Sequence, residues 1–227
     1  MSNRRVHKTR LFDEFARIGK AVAAGNRLEM LDILAQAPRT VDALAELSGS
    51  SVANASRNLQ VLRAARLVET VKRGTFVEYR IASPDVVDLC RMIRQLAAAR
   101  LAEVEDARRA YFGARASMDA VAGEELFDRI RAGEVTVVDV RPAEEHAAGH
   151  LPGALSIPLA ELRKNLPALS KKTPIVAYCR GPYCVLAVQA VELLRKQGFE
   201  AVRLEDGIHE WRSRGFAVER AREEVTT

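Results

Sequence analysis

Two of the chain's three cysteines lie close together, in the stretch YCRGPYC between Tyr178 and Cys184. Cys179 and Cys184 are five positions apart and enclose a Gly-Pro pair. A pair of this kind can form a disulfide, hold a metal ion or provide a reactive thiol with a partner, and it can also be a coincidence. The rest of the sequence narrows these alternatives.

The composition favours reduced thiols. Three cysteines in 227 residues cannot build a disulfide framework, and an odd count is unusual for a secreted scaffold. The first residues, MSNRRVHKTRLFDEF, are charged and include no apolar segment followed by a cleavage site. No apolar run approaches the roughly 20 residues that span a bilayer. We therefore expect a cytoplasmic protein without a membrane partner, in a compartment where structural disulfides are rare.

The elements around Cys179 predict where its side chain lies. Three apolar runs, VTVVDV, PIVAYC and AVRLED, are typical of buried strands, and helical stretches separate them. Buried strands that alternate with helices predict an α/β domain with a mainly parallel sheet. Cys179 ends the second run, and a helix is expected to begin near Val185. In this class of fold, chemistry takes place just past the carboxyl ends of the strands.

The loop between this strand and the helix is suited to activate the thiol at its start. Backbone N–H groups and the positive end of a helix lower the pKa of a cysteine, which makes it a nucleophile at neutral pH. Arg180 adds a positive charge. The loop is also expected to hold an anion through Gly181, Tyr183 and Val185, whereas Pro182 has no N–H to donate.

The stretch from about Met118 to Val218 resembles the rhodanese domain. Three motifs carry the resemblance, in order and at the family's spacing: VVDVRPAEEHAAGHLPGALSIPLAEL, IVAYCRGPYCVLA and GFEAVRLEDGIHEW. Rhodaneses transfer sulfane sulfur through a persulfide on a loop cysteine, and the resemblance implies this role for Cys179. It also implies that Asp139 and Arg141 lie near the site.

Cys184 departs from the family pattern. Active sulfurtransferases often carry an arginine at this fifth position after the cysteine, where it helps to bind an anionic donor. Two interpretations stay open. Cys184 resolves a persulfide or sulfenate on Cys179 as a disulfide, or it is the first buried residue of the following helix.

Two histidines in the stretch EEHAAGH have the spacing of metal ligands on a helix, since His146 and His150 are four positions apart. However, Gly149 and Pro152 end any helix there. The resemblance explains Glu145 and His150 as parts of a structural motif. We therefore predict no metal site and no cofactor.

The positive charge of the chain lies in its first half. Residues 1–112 contain 19 Lys and Arg against 13 Asp and Glu, a formal charge of +6, whereas residues 113–227 contain 16 against 17, or −1. Such an uneven distribution predicts an anionic partner for the first half alone.

The first half has the periodicity of a winged helix-turn-helix. TVDALAELSG is typical of a short helix, with Thr40 as its N-cap and Gly49 as its end. SSVANASRNLQVLRAARL is amphipathic, and its inner stripe includes Val52 and Leu59. LVETVKRGTFVEYRIA alternates around KRGT, which predicts a β-hairpin with Gly74 in its turn. These elements predict an α+β winged helix-turn-helix domain.

The stretch from about Asn26 to Ala82 resembles the ArsR-type winged-helix repressors, which bind operator DNA as homodimers and release it when an inducer binds. The matching pieces are NRLEMLDILAQAPRTVDALAEL, SSVANASRNLQVLRAARLVE and KRGTFVEYRIA. A recognition helix presents short polar or basic side chains to base edges, and a wing offers charge to phosphates. The predicted DNA-contacting residues are Ser51, Asn54, Arg57, Asn58, Gln60, Lys72, Arg73 and Thr75.

The first half lacks the residues of a soft-metal sensor. Many relatives have a histidine where this chain has Asn58, and metal-sensing relatives carry cysteines or clusters of His, Asp and Glu. The first cysteine of this chain is Cys90, and the first half contains a single histidine, His7. A soft-metal site built within this half is therefore not predicted.

A long helix is expected to follow the hairpin, with Ser83 as its N-cap, Pro84 as its first residue and its end near Phe112. In the ArsR family this is the dimerisation helix. Cys90 lies beside its apolar stripe, where a buried cysteine usually behaves as a small hydrophobe.

We therefore predict an ArsR-type DNA-binding and dimerisation domain over 1–112, a linker over 113–117 and a rhodanese-like domain over 118–227. The predicted function is a transcriptional regulator, a repressor, whose second domain senses or processes reactive sulfur or another thiol-reactive signal through Cys179. The predicted partners are double-stranded operator DNA, a second copy of the chain and a small sulfur donor or other thiol-reactive signal.

Two other functions stay open. One is a sulfurtransferase, or a reductase of an oxyanion such as arsenate, with an accessory DNA-binding domain. The other is a sensor that binds As(III) or Sb(III) through Cys179 and Cys184.

Overall fold

A computed structural model of the chain describes residues 3–113, 115, 118 and 120–220. Contacts within the chain divide it into two compact units, of which the first ends at Ala99 and the second begins at Arg100. None of the helices in these described ranges is both long enough and apolar enough to cross a membrane.

The first unit is a winged helix-turn-helix, as predicted. Strands β1, β3 and β2 form an antiparallel sheet in that order, and the hairpin of β2 and β3 is the wing. The elements, in chain order, are α1 (Asn3–Val22), α2 (Gly25–Gln36), β1 (Arg39–Thr40), α3 (Val41–Leu47), α4 (Val52–Ala64), β2 (Val68–Arg73), β3 (Phe76–Ile81) and α5 (Pro84–Arg100).

Side-chain caps set the start of both helices of the helix-turn-helix. The Thr40 hydroxyl accepts a hydrogen bond from the backbone N–H of Ala43 at 3.3 Å, at the start of α3. The Ser51 hydroxyl accepts one from the N–H of Asn54 at 3.2 Å, at the start of α4. Each cap satisfies an N–H that has no partner within its helix. Between them, Gly49 has a φ of +60°, which suits the residue that follows a helix C-terminus.

The core of the first unit confirms most of the predicted inner stripe of α4. Ala55, Leu59 and Leu62 are fully buried and pack with Leu31 and Leu44 and their neighbours. The prediction for Val52 is wrong, because this side chain is 46% exposed. Val52 is the first residue of α4. At this end of the helix its side chain lies beyond the core.

The second unit contains a five-stranded sheet with the strand order β4-β8-β7-β5-β6, in which every neighbouring pair is parallel. The predicted parallel α/β architecture is therefore confirmed. The elements, in chain order, are α6 (Ala102–Phe112), β4 (Ala120–Val121), α7 (Gly123–Arg131), β5 (Thr136–Asp139), α8 (Ala143–Ala148), β6 (Leu155–Ser156), α9 (Leu162–Asn165), β7 (Ile175–Tyr178), α10 (Val185–Lys196), β8 (Ala201–Leu204) and α11 (Ile208–Ser213).

The central strand β7 is buried on both of its faces. Ile175 and Ala177 belong to the core that includes residues of α10, whereas Val176 and Tyr178 belong to the core on the other side of the sheet. Successive side chains of a strand point to opposite faces. Cys179 therefore continues the α10 face of the sheet and packs in the same core.

The long helix predicted to end near Phe112 is divided in two. Leu101 has φ −115° and ψ 106°, which is extended backbone, so α5 ends at Arg100 and α6 begins at Ala102. The second half of the predicted helix belongs to the second compact unit. Within the predicted linker 113–117 the structure describes residues 113 and 115, and in the predicted range 118–227 residues 119 and 221–227 lie outside the described part.

Candidate thiol site and nucleic-acid interface

Cys179 lies at the carboxyl end of β7, at the start of the short loop that leads into α10. Its side chain is 3% exposed and packs in the core on the α10 face of the sheet. The thiol donates a hydrogen bond to the backbone carbonyl of Cys184, with 3.4 Å between sulfur and oxygen. The sulfur therefore lies at the floor of the loop.

Cys184 is the residue immediately before α10, and it is partly exposed. Its backbone N–H donates to the carbonyl of Gly181 at 3.1 Å, which closes a turn in the loop. This turn brings the backbone carbonyl of Cys184 within hydrogen-bond reach of the Cys179 thiol. Both cysteines are free thiols.

The two cysteines have opposite pKa shifts. The hydrogen bond from Cys179 lowers the pKa of Cys184 to about 7 against the effect of burial, and the N–H groups of Arg180 and Leu186 lower it further. Burial raises the pKa of Cys179 well above its usual value, and the hydrogen bond to Cys184 raises it further. The sequence led us to expect a lowered pKa for Cys179, and the burial of this thiol acts in the opposite direction.

The backbone N–H groups of the loop are divided between the two sulfurs. Those of Gly181 and Ala187 favour the thiolate of Cys179, whereas those of Arg180 and Leu186 favour the thiolate of Cys184.

The other two residues predicted to hold an anion lie along the same loop. The side chain of Tyr183 is 38% exposed, and Val185 is the first residue of α10.

The guanidinium of Arg180 is held by a buried carboxylate. It donates to the two carboxylate oxygens of Glu145 at 3.0 and 2.7 Å, and the side chain of Glu145 is fully buried. The charge of Arg180 also lowers the pKa of Cys184. The sequence did not link Glu145 to the loop, since the two residues are 35 positions apart.

A neighbouring loop presses closely against the cysteine loop. A Cβ at Gly207 would lie 2.2 Å from the carbonyl oxygen of Arg180, so only glycine fits there. The N–H of Gly207 donates to the Glu210 carboxylate at 3.1 Å. Gly181 has a φ of +147°, which also favours glycine. The GIHEW motif therefore supports the cysteine loop from outside.

Asp139 and Arg141, which the sequence placed near the site, form a fully buried ion pair. Arg141 donates to both carboxylate oxygens of Asp139, the shortest contact being 2.6 Å, and to the carbonyl of Gly149 at 2.7 Å. The Tyr178 hydroxyl donates to the same carboxylate at 2.6 Å. Burial tends to raise the pKa of Asp139, but hydrogen bonds from His146 and Arg141 outweigh it and lower the pKa to about 2.

This cluster joins the carboxyl ends of β5 and β7, because Asp139 ends one strand and Tyr178 ends the other. Its polar atoms contact one another and lie away from solvent. We conclude that the pair positions the strand ends from which the cysteine loop departs.

The two histidines of EEHAAGH stack on each other, with ring centroids 3.8 Å apart. The Nδ1 atom of His146 lies 3.1 Å from the Asp139 carboxylate, and that of His150 lies 2.8 Å from the carbonyl of His146. Within the described ranges, no three His, Cys, Asp or Glu side chains form a group that could hold a metal ion.

Helix α6 lies beside the cysteine loop within the second unit. Phe112 is buried, and it lines one crevice together with Arg108, Pro182 of the loop and Val188 of α10. Arg115, just after α6, forms an ion pair with Glu192 of α10 at 2.7 Å. These contacts were not predicted, since α6 was expected to be part of the dimerisation helix.

The predicted DNA-contacting residues of α4 lie on its outer face. Arg57 and Gln60 are exposed, and Asn54 and Asn58 are partly exposed. The amide of Asn58 donates to the carbonyl of Asn54 at 3.1 Å. Ser51 is exposed as well, and its hydroxyl is already used as the N-cap of α4.

The wing carries the other predicted contacts. Lys72 and Arg73 end β2, Gly74 has a φ of +59°, and Thr75 completes the turn to Phe76. All five residues from Lys72 to Phe76 are exposed. The structure therefore presents two positive side chains at the tip of the hairpin.

Cys90 is buried in the core of the first unit. Burial raises its pKa to about 11, so the side chain is a protonated, apolar group at neutral pH. This agrees with the role of a small hydrophobe expected from the sequence.

Comparison with known proteins identifies relatives of both halves. Residues 22–71 match the model of a helix-turn-helix domain, and residues 123–214 match that of the rhodanese-like domain. The chain is 47% identical over 219 residues to the HTH-type transcriptional regulator Rv0324 of Mycobacterium tuberculosis, and this match covers 96% of each protein.

Two further matches each cover one half. A sulfurtransferase of Allochromatium vinosum is 31% identical over 86 residues, which are 37% of this chain and 78% of that protein. The homodimeric winged helix-turn-helix DNA-binding domain of Mb0332 from Mycobacterium bovis is 43% identical, with a TM-score of 0.41, and the match covers 45% of this chain and 93% of that chain.

The buried ion pair leads to a stability prediction. Arg141→Ala should lower the free energy of unfolding by about 3–5 kcal/mol, because it leaves the Asp139 carboxylate buried without its charged partner. Urea unfolding of the full chain, followed by fluorescence of Trp211, measures this change in the second unit, since the chain has one tryptophan.

The control is Arg129→Ala, which removes a helix-surface ion pair with Glu125 that spans 3.6 Å. It should cost about 0.5 kcal/mol or less. Equal losses in the two variants would contradict a structural role for the buried pair.

Proposed function

Since the chain belongs to a family of HTH-type transcriptional regulators and carries a rhodanese-like domain after its helix-turn-helix domain, we propose that reactive sulfur controls its affinity for operator DNA. The observation that carries this proposal is the position of two free thiols on one turn, where the buried thiol of Cys179 donates a hydrogen bond to the backbone carbonyl of Cys184. Two cysteines held on one turn can be oxidised together by a sulfur donor.

Charge and exposure support the DNA-binding surface. The side chains of α4 that face outward are short, polar or basic, which suits contact with base edges in a major groove. Lys72 and Arg73 at the wing tip suit contact with the phosphate backbone. The net positive charge of the first half agrees with a polyanionic partner.

Exposed apolar side chains support a homodimer through the first domain. Phe12 and Phe15 of α1 are 58% and 59% exposed, and their rings contact each other edge to face. Met92 and Leu96 are exposed one helical turn apart on α5. Apolar surface of this kind is usually covered by a partner. We propose that the partner is the same surface of a second copy, with α1 and α5 as the contacting helices.

The thiol reaction is a two-step oxidation of the pair. One cysteine thiolate attacks the outer sulfur of a hydropersulfide, RS–SH, and the S–S bond of the donor breaks to release RS⁻. The product is a cysteine persulfide. The second cysteine then attacks the sulfur of the first, a disulfide forms, and H₂S leaves with the proton of the second thiol. The two cysteines lose two electrons, and the sulfane sulfur gains them as sulfide.

Formation of a disulfide changes the loop on which α6 rests. The bond requires the two Cβ atoms to lie about 4 Å apart, so it fixes the geometry of the turn between the cysteines. Pro182 and Val188 flank this turn and share a crevice with Phe112 of α6. The chain passes from α6 to α5 through Leu101 alone. We propose that movement of α6 is passed on to α5 and so to the DNA-binding domain.

The DNA surface is tested with two single substitutions. Arg57→Ala should weaken operator binding by about 1–3 kcal/mol and relax the sequence preference, because Arg57 is assigned to a base edge. Lys72→Ala should weaken binding to operator and unrelated DNA alike and reduce the salt slope by about 1. Fluorescence anisotropy on the DNA upstream of the protein's own gene measures both.

The control for the DNA test is Lys164→Ala, which removes an exposed charge from the second unit. It should leave operator binding unchanged. If all three variants bind operator as the unmodified chain does, α4 and the wing are not the DNA surface.

The dimer surface is tested with Leu96→Glu in α5. A carboxylate placed in an apolar interface should weaken dimerisation by on the order of a hundredfold, about 3 kcal/mol. Phe76→Glu is the matched control, because Phe76 is an apolar wing residue that is 66% exposed. Sedimentation velocity should show monomers for the first variant and dimers for the second. Dimers for both would place the interface elsewhere.

Sulfur control is tested with glutathione persulfide as the donor. It should change operator affinity of the reduced protein by about 5- to 150-fold, which is the usual range of allosteric coupling. Cys179→Ser and Cys184→Ser should each abolish this change, since neither can form the disulfide. Cys90→Ser should keep it, because Cys90 lies in the core of the other unit.

An unchanged response in Cys179→Ser would rule out control through the pair. If the donor forms persulfide on the protein and operator affinity stays constant, the chemistry of the pair is sulfur transfer to an acceptor thiol. A thiosulfate:cyanide assay then measures that activity directly.

A further inference from the structure

We propose that Asn54 of α4 recognises a guanine in the major groove as a hydrogen-bond donor, and that Asn58 and Arg27 hold its carboxamide in the orientation that this requires. The inference rests on the proposed function in one respect, since α4 must be the helix that contacts base edges. It goes beyond that function because it names the base, the residue that selects it and two positioning residues that do not touch it.

The carboxamide of Asn58 has one partner at each end, and the two partners fix its orientation. Its Nδ2 atom donates to the backbone carbonyl of Asn54 at 3.1 Å, and a carbonyl can only accept. Its Oδ1 atom accepts from the guanidinium of Arg27 at 3.5 Å, and a guanidinium can only donate. Turning the amide over would lose both hydrogen bonds, so the positions of its oxygen and nitrogen are determined.

Arg27 is held by the end of a helix outside α4. Its guanidinium donates to the backbone carbonyl of Lys20 at 3.1 Å and also to that of Ala21. Both carbonyls lie in the last turn of α1, where backbone carbonyls have no partner within the helix. The group that fixes the oxygen of Asn58 is therefore itself fixed by two backbone acceptors.

The orientation of Asn58 determines that of Asn54. The Nδ2 atom of Asn58 also donates to the Oδ1 atom of Asn54, at 3.3 Å. Turning the Asn54 amide over would bring two NH2 groups together, which form no hydrogen bond. The Asn54 oxygen therefore faces Asn58, one helical turn along α4, and the Asn54 NH2 group is directed away from this pair.

The NH2 group of Asn54 is available to a ligand. Among the residues that the structure describes, none accepts a hydrogen bond from it, and Asn54 is partly exposed. Asn54 lies in the first turn of α4, and a recognition helix contacts base edges with its N-terminal residues. We refer to the hydrogen bonds from Arg27 through Asn58 to Asn54 as the amide network.

The polarity of the amide network favours guanine. In the major groove guanine presents two acceptors, N7 and O6, whereas thymine presents one, O4. Adenine presents the N7 acceptor beside the N6 donor, and cytosine presents the N4 donor. Asparagine usually pairs with adenine because its oxygen accepts from N6. The oxygen of Asn54 is turned toward Asn58, so its NH2 group meets the base, and a base with two acceptors suits it best.

The base preference is measured by selection from a randomised DNA library with the full chain, followed by sequencing. The unmodified protein should select guanine over adenine by about tenfold at one position of the site. Asn54→Asp keeps the shape of the side chain but leaves only acceptors, so it should select cytosine at that position. A selected sequence that Asn54→Asp leaves unchanged would overturn the proposal. So would adenine as the base that the unmodified protein selects there.

Asn58→Asp tests the amide network at a residue that does not touch the base. The new carboxylate accepts from Arg27 but cannot donate to Asn54, so the Asn54 amide should turn over and present its oxygen. The selected base should then change from guanine to adenine or cytosine, which carry donors. A purely structural role of Asn58 would lower affinity without this change, and an unchanged preference for guanine would overturn the proposal.

The matched control for the added charge is Ala53→Asp, because Ala53 is exposed on the same turn of α4. It should weaken binding to all sequences alike and keep guanine at the position that Asn54 recognises. A change of the selected base in Ala53→Asp would show that charge alone alters the preference, which would remove the support from Asn58→Asp.

Arg27 is tested by removing and then restoring its donor. Arg27→Met should lower the preference for guanine over adenine severalfold, because the Asn58 oxygen loses its partner. Arg27→Lys, which keeps a donor, should retain more of the preference. A full preference for guanine in Arg27→Met would show that Arg27 has no part in the amide network.

These experiments separate the amide network from the proposed DNA surface. If neither Arg57→Ala nor Asn54→Asp changes the selected sequence, α4 does not contact base edges, and the proposed surface and this inference are both wrong. If Arg57→Ala relaxes the selected sequence and Asn54→Asp leaves it unchanged, only the inference is wrong. Asn54→Asp and Asn58→Asp each test it independently, so a failure of one variant to fold leaves the other.

Discussion

The hydrogen bond from the Cys179 thiol to the backbone carbonyl of Cys184 is the interaction that holds the two cysteines of the second domain on one turn. It exists because the turn after β7 places Cys184 above Cys179 within five residues. Burial raises the pKa of Cys179, whereas hydrogen bonds and the charge of Arg180 lower that of Cys184. An arginine in place of Cys184 would supply charge for an anion but no second sulfur.

The rest of the second domain holds this turn in place. The buried cluster around Asp139 joins the ends of β5 and β7, and the buried carboxylate of Glu145 holds the guanidinium of Arg180. The loop that contains Gly207 packs against the carbonyl of Arg180 so closely that a residue with a Cβ atom would not fit. Buried ion pairs contribute little net stability compared with apolar packing, yet they are costly to break. Their value in this domain is the definition of one loop geometry, which the chemistry of two sulfurs requires.

The same chain gives the two halves different surfaces. The first domain exposes polar and basic groups on α4 and the wing and apolar groups on α1 and α5, which suits one anionic and one apolar partner. In the second domain the two cysteines lie in one loop, and α6 lies beside that loop. The extended backbone at Leu101 separates α5 from α6, so a helix that would otherwise be continuous belongs to two compact units. Helix α6 contacts the cysteine loop of the second domain and is joined to α5 through Leu101.

The sequence by itself determined the two folds, the parallel sheet, the wing, the cap at Thr40 and the position of Cys179 after a strand, because these depend on local periodicity, turn residues and motifs. It could not determine how deeply each cysteine is buried or which groups their thiols contact, since both arise only when the loop closes. Nor could it show the break at Leu101, because both sides of that residue have helical periodicity and only contacts with the second domain separate them. The contacts of Glu145 and Gly207 with Arg180 could not be predicted for the same reason. Each residue is far from Arg180 in the sequence, and only tertiary packing brings them together.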